Sequence, residues 1–242
     1  MKQSFYKNII ILIISIGTVI ACKPSDYYYA DYLKEGEIYY PGRIDSLSII
    51  PGNQRATLRF RVSTDPKINA VKVYLRNSLS ALETVYEFPI SSGEHGDFKL
   101  IDLDGLKEAT YTANVYSVAN TGDSSRSVSA SQFVYGEAYT RTLVNRLYSK
   151  IDKSNADEHF VVFNRESNLP KEGTFFPMQF TEVVYTTGSG QVKTVKITPY
   201  TDYASLLGIA SSTTIKYRTA YKPIEKSLDY FYTDYAEIEY TK

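Results

Sequence analysis

Two histidines, one cysteine and 23 tyrosines are the residue types in this 242-residue chain from which chemistry could be built. His95 lies in Ser-Ser-Gly-Glu-His-Gly-Asp, which reads as a loop tip, and His159 opens an apolar run. Neither has a His or Cys neighbour at metal-ligand spacing, and a zinc site needs three or four such ligands. The members of a Ser-His-Asp arrangement need not be adjacent in sequence, but neither histidine sits in a setting that suggests one. Glycoside cleavage needs two acids held across a cleft. With 27 acidic residues some close pair is inevitable, so proximity alone says little. Asp102-Leu103-Asp104-Gly105 looks like the start of a calcium loop, but the remaining ligands, including the late glutamate, are missing. The reading is a protein that is not an enzyme, with no catalytic residue, no cofactor and no metal.

The tyrosines are the more distinctive signal, because the chain has no tryptophan. A phenol ring has an apolar body and a polar rim, so it can stack on a sugar face and hydrogen-bond its hydroxyls. The densest group is Tyr217, Tyr221, Tyr230, Tyr232 and Tyr235. In an extended strand Tyr230 and Tyr232 share one face, with Phe231 and Tyr235 on the other. One face must pack a core, so only part of the group can serve as a glycan platform. Tyrosine is also a good strand residue, and cross-strand pairing is the competing use.

The amino terminus carries Lys2 and Lys7 ahead of an apolar run from Ile9 to Ile20. That run is about a dozen residues, short of the roughly 20 needed to span a bilayer as a helix. A basic start and a short apolar stretch read as a signal peptide over residues 1–21. The run ends Val19-Ile20-Ala21-Cys22, which resembles the lipobox of bacterial lipoproteins. The resemblance implies cleavage before Cys22 and acylation of its thiol. Cys22 is the single cysteine and can form no internal disulfide, which favours a dedicated use for that thiol. Several acyl chains anchor durably where one binds reversibly. Removing residues 1–21 takes away two lysines and no acid, leaving 25 basic against 27 acidic side chains. Phosphate-backbone binding would need a clustered basic excess, so nucleic acid is not an expected partner.

The rest of the chain must position these groups. Residues 22–40 read as a tether with a short helix capped at Ser25 or Asp26 and stopped at Gly36. From residue 41 to 135, alternating runs bounded by Pro51-Gly52, Asp65-Pro66 and Asn120-Thr121-Gly122-Asp123 predict seven short strands. Ala56, Leu58, Phe60 and Val62 share one face, as do Val71, Val73 and Leu75. Residues 136–155 form a connector. There Leu143, Leu147 and Ile151 stand at helical spacing, and an extended linker is the alternative. Residues 156–242 alternate again, with a hairpin at Thr186-Thr187-Gly188-Ser189-Gly190 and a connection from Pro199 to Ile209. The expected fold is all-β: two tandem immunoglobulin-like or fibronectin type III-like sandwiches.

Leu103-Asp104-Gly105-Leu106, Tyr111, Val115 and Asn120-Thr121-Gly122-Asp123-Ser124 resemble a fibronectin type III domain, with Tyr111 as the corner tyrosine. The family's usual tryptophan on the second strand is missing, and Phe60 stands in its place. The lipobox, YPGRIDSLSIIPGNQRATLRF, YGEAYTRTLVNR and YRTAYKPIEKSLDYFYTDY together resemble two-domain Bacteroidetes lipoproteins of unknown function. That resemblance implies an outer-membrane location, lipid-anchored and cell-surface, often beside SusC/SusD-like glycan uptake proteins as partners. It transfers no functional residue except Cys22. The expected function is accessory glycan binding in polysaccharide acquisition. A protein-interaction or spacer module is the alternative.

Overall fold

A strand whose side chains alternate apolar and polar must bury one face, and two such sheets do so against each other. The computed structural model describes residues 40–155 and 158–242. The signal-peptide reading, Cys22 and all of the 22–40 tether except Tyr40 lie outside the described residues. Residues Pro41–Lys242 make up one unit, in which two antiparallel sandwiches, here called lobes, follow each other along the chain.

The first lobe comprises β1 (Asp45–Pro51), β2 (Ala56–Arg61), β3 (Ile68–Asn77), β4 (Glu83–Pro89), β5 (Phe98–Leu103), β6 (Ala109–Ala119) and β7 (Val128–Val134). They form a three-stranded sheet, β1-β2-β5, and a four-stranded sheet, β4-β3-β6-β7. Leu58 and Phe60 of β2, Val71 and Val73 of β3, and Ala113 and Val115 of β6 are fully buried between them. The inward parity of β2 and β3 is the predicted one. Phe60 fills the expected tryptophan position as a core residue. Tyr111 is buried, and its hydroxyl oxygen accepts the Lys107 backbone N–H at 3.0 Å. Asp102 accepts the Thr57 hydroxyl at 2.5 Å, and Gly105 turns with φ +68°. Turn and cross-strand chemistry therefore occupy the segment that superficially resembled a calcium loop.

The connector departs from the helical reading. The helix α1 covers only Glu137–Thr142, and Leu143 is already extended (φ −75°, ψ 142°). Leu147 is exposed, and Ile151 belongs to β8 (Tyr148–Asp152). The apolar spacing was real, but the backbone bonds of 148–152 go to β9 (Phe160–Phe163) instead of an extra helical turn.

The second lobe continues with β10 (Met178–Thr186), β11 (Val192–Ile197), β12 (Tyr203–Ser205), β13 (Ser212–Tyr221), β14 (Phe231–Tyr232) and β15 (Ala236–Thr241). One sheet runs β11-β10-β13, with β13 pairing both β14 and β15; the other is β12-β9-β8. The stretch expected to be a bare connection thus contributes β12. Val161, Phe163 and Ala204 from the small sheet meet Val183, Tyr185, Ile215 and Tyr217 from the large one.

Asp229 joins the lobes. It accepts both Nε and Nη2 of Arg55, at 2.9 and 2.6 Å, and the Asn53 backbone N–H at 2.9 Å. Gly52 makes this approach possible, since a Cβ there would lie 2.4 Å from the Asp229 carboxylate. The Leu228 N–H donates to the Pro51 carbonyl at 2.8 Å, and the Tyr135, Tyr139 and Phe231 rings meet edge to face beside it.

Candidate functional site

Strand parity decides which tyrosines can meet a ligand. On β13, Ile215, Tyr217 and Thr219 point inward while Lys216 and Arg218 point out. Tyr217 is therefore core: it is 7% exposed, and its ring packs edge-on against Phe163 at 5.2 Å. Tyr221 is only partly buried. Its hydroxyl donates to the Val144 carbonyl at 2.7 Å, and burial, with the Glu166 charge and Tyr139 behind it, pushes its pKa up to about 12. It serves as a tie to the connector.

Tyr230, Tyr232 and Tyr235 do come together on the outer face of the large sheet, and Phe180 of β10 joins them. Phe180 lies 5.3 Å from Tyr230 and 6.2 Å from Tyr232, and the two tyrosines are 6.5 Å apart. Tyr230 and Tyr235 are 44% and 43% exposed. The expectation that Tyr235 would share a face with Phe231 is corrected. β14 is only two residues long, and the break after it swings Tyr235 to the outer face while Phe231 stays buried.

Charge holds this group in place. The Arg218 guanidinium lies 4.1 Å from the Tyr232 ring and 4.6 Å from that of Tyr235. Such contacts contribute roughly 0.5–1 kcal/mol at exposed sites. Arg218 Nε also donates to Glu182 at 2.9 Å, as does the Tyr235 hydroxyl at 2.8 Å. Lys196 Nζ is 3.7 Å from Glu182 and 4.6 Å from the Phe180 ring. Burial alone would raise the Glu182 carboxyl, but the Tyr235 and Arg218 hydrogen bonds and the two cations outweigh it and hold it below the ordinary range. Arg218 and Glu182 thus hold the Tyr232 and Tyr235 rings together on one side of the sheet.

Sequence reasoning missed Phe180, Glu182, Lys196 and Arg218 as partners of the tyrosines. The parity of β10 carried the signal, with Val183 and Tyr185 inward and Glu182 outward. It was blurred because Met178 and Phe180 both looked like core residues.

Arg146, also missed, is the largest fully buried side chain among the described residues. Its guanidinium donates to the carbonyls of Thr201 at 2.7 Å, Asn164 at 3.3 Å, and Thr198 and Pro199 at 3.4 Å, and to Asp202 at 2.9 Å. A planar five-donor cation suits such a set of oxygens. It fixes the turn between β11 and β12.

Both histidines are engaged within the fold. His95 bonds the Ser92 and Ile68 carbonyls, and His159 is buried with Nδ1 2.5 Å from the Tyr240 hydroxyl. Among the described residues, no group of three or more His, Cys, Asp or Glu side chains could hold a metal ion. No helix among them is long and apolar enough to cross a membrane.

Residues 22–231 match the family DUF4998, described as a domain of unknown function. The chain belongs to that family. Among solved structures it is similar to a two-domain fibronectin type III segment of chicken tenascin. The identity is 11%, over 83% of this chain and all of that one, with a TM-score of 0.33. It is also similar to the FN1–FN3 domains of chicken CNTN1, at 9% identity over 85% of this chain and 70% of that one, with a TM-score of 0.43. The sandwich fold itself is given by strand order and register rather than by these superpositions. No curated protein matches the chain.

Proposed function

We propose that this DUF4998 protein is a non-catalytic accessory protein of the cell envelope that binds glycan through the outer face of its second lobe. The observation that carries the reading is the gathering of Phe180, Tyr230, Tyr232 and Tyr235 around Arg218 and Glu182 on one solvent-facing sheet. Ring faces suit the C–H surfaces of sugars, and fixed donors and acceptors suit their hydroxyls. The site is the pair Tyr230 and Tyr235 with Tyr232 between them; Tyr217 and Tyr221 support it from the core and the connector. In native gels cast with a polysaccharide panel, retardation that Tyr230→Ala abolishes is expected. No retardation across the panel would refute glycan binding.

The same reading places the chain at the outer membrane, facing outward and held by lipid on Cys22. It is supported by the basic and apolar leader, the lone cysteine and a family match that begins at residue 22. Radiolabelled palmitate should enter the protein and fail to enter Cys22→Ala; retained label would overturn the anchor. The resemblance to Bacteroidetes lipoproteins adds SusC/SusD-like proteins as candidate neighbours.

A second reading, a protein-interaction or spacer module, is favoured by one observation. The exposed rings are inclined to each other by 61–69° and make no flat row. Capture from intact membranes of a stoichiometric protein partner, lost in Tyr235→Ala, would select it.

A further inference from the structure

The aromatic face does not end at Tyr230. Lys222, just beyond β13, holds its Nζ 5.0 Å from the Tyr230 ring. The same residue lines a recess with Glu172, Phe176, Gln179, Thr198, Tyr200 and Glu225. Strand β10 makes the same passage. Met178 pairs with Tyr221 and Phe180 with Ala220, so Gln179 is an additional residue, a β-bulge. A bulge bends its strand and re-aims a side chain, and bulges are common beside functional sites. Here Phe180 stays on the aromatic face while Gln179 turns into the recess wall, its amide donating to the Phe176 and Pro177 carbonyls.

The recess is built rather than left over. One wall is the turn carrying Thr198, Pro199 and Tyr200, held from beneath by the buried Arg146. The facing wall is the segment before β10. The Tyr200 hydroxyl donates to the Pro170 carbonyl at 3.2 Å and ties the two walls together. A buried, fully used guanidinium under a surface turn fixes its carbonyls and so fixes the shape above it.

We infer, resting on the glycan reading, that the aromatic face and this recess are one continuous binding track. Its ligand is then a linear chain of several linked sugars rather than a mono- or disaccharide. Arg218 and Lys222 are four residues apart, about 13 Å along a strand rising ~3.3 Å per residue, before the recess is entered. That span already exceeds a single ring. The lining offers cations at Arg218 and Lys222, carboxylates at Glu172 and Glu225, and aromatic faces at Tyr230 and Tyr200. Both charge signs along one track suit a ligand that donates and accepts through many hydroxyls. They suit a uniformly charged polymer poorly.

The test uses the lipid-bearing full protein in detergent. Native gels containing xylan, mannan, laminarin or polygalacturonate first select the retained polymer, and calorimetry then follows its oligomers from dimer to octamer. Affinity is expected to climb at least tenfold from disaccharide to hexasaccharide and then level. Glu225→Ala and Tyr200→Ala should each weaken hexasaccharide binding about tenfold and leave trisaccharide binding at the wild-type value, whereas Tyr230→Ala weakens both. Tyr200→Phe keeps the ring but loses the tie to Pro170, and should weaken hexasaccharide binding less than Tyr200→Ala does. If Tyr200→Ala does not fold, Glu225→Ala decides alone. Affinity that is flat beyond the disaccharide, or recess variants that bind the hexasaccharide normally while Tyr230→Ala does not, would overturn the track and leave the glycan reading standing. Retention by none of the four polymers would overturn the track together with that reading.

Discussion

The two lobes share an architecture and differ in what they bury. In the first, the buried polar side chains among the described residues are hydroxyls: Thr57, Ser117 and Ser125. In the second they include Arg146, His159 and Glu182 as well as Thr181, Thr187, Thr219, Ser227 and Thr233. The first lobe is held by apolar area, at roughly 25 cal/mol per Å² removed from water. The second has an apolar core as well and adds buried bonds with direction. Burying a charge is tolerated only when its hydrogen-bonding capacity is met, and Arg146 meets it with four carbonyls and a carboxylate. Directional bonds fix side chains and turns in one geometry, which a binding surface needs and a spacer does not. That difference supports the proposal of a site in the second lobe.

The contrast can be broken or sharpened by substitution. Phe60→Ala should have the largest effect, about 3–5 kcal/mol, because it leaves a cavity in a closely packed apolar core. Urea denaturation would show it, with the loss read as a lower midpoint. Arg146→Met should cost somewhat less, about 3 kcal/mol, since it takes the guanidinium donors away from the Asn164, Pro199 and Thr201 carbonyls and from the Asp202 carboxylate. Hydrogen exchange should show the accompanying loosening confined to the turn at residues 198–202. A neutral Arg146→Met would mean that the second lobe is held by area after all, and would erase the distinction.

Smaller changes probe the joints. Tyr221→Phe removes one hydrogen bond to Val144 and should lower stability by about 1 kcal/mol, measurable as a shift in Tm. Acid titration should show the least. The Arg55 hydrogen bond holds the Asp229 carboxyl below the ordinary range, and Glu182 also lies below it. A carboxyl depressed in the folded state contributes stability that is complete above its unfolded pKa. The contribution declines as the pH falls through the folded value. Glu182→Gln should therefore be less stable than wild type near neutrality and lose less stability on acidification. Identical acid limbs for the two proteins would remove Glu182 from the account.

Legibility in the sequence also differed between the lobes. In the first, the alternation of Ala56, Leu58, Phe60 and Val62 named the buried face correctly, because period-2 patterning follows directly from strand geometry. The turns at Gly105 and Asn120–Asp123 marked strand ends for the same local reason. In the second lobe that logic failed at three places. The connector's helical spacing ended in β8, because β9 offered its backbone better partners. The bulge at Gln179 reset the parity of β10, so Met178 and Phe180 could not be assigned to faces by counting. The short β14 released Tyr235 from the alternation that Phe231 obeys.

The sequence by itself determined that this is an all-β chain with a corner tyrosine at Tyr111, a core phenylalanine at Phe60 and a surplus of tyrosine near its end. These are matters of composition and local periodicity, and neighbouring residues decide them. Tertiary structure alone decided that Tyr217 is core, that Tyr232 and Tyr235 flank Arg218, and that Arg146 underlies a turn more than fifty residues away. Those outcomes depend on which strands pair and in which register. Pairing is set by the burial of whole sheets, so no local pattern around a single residue contains it.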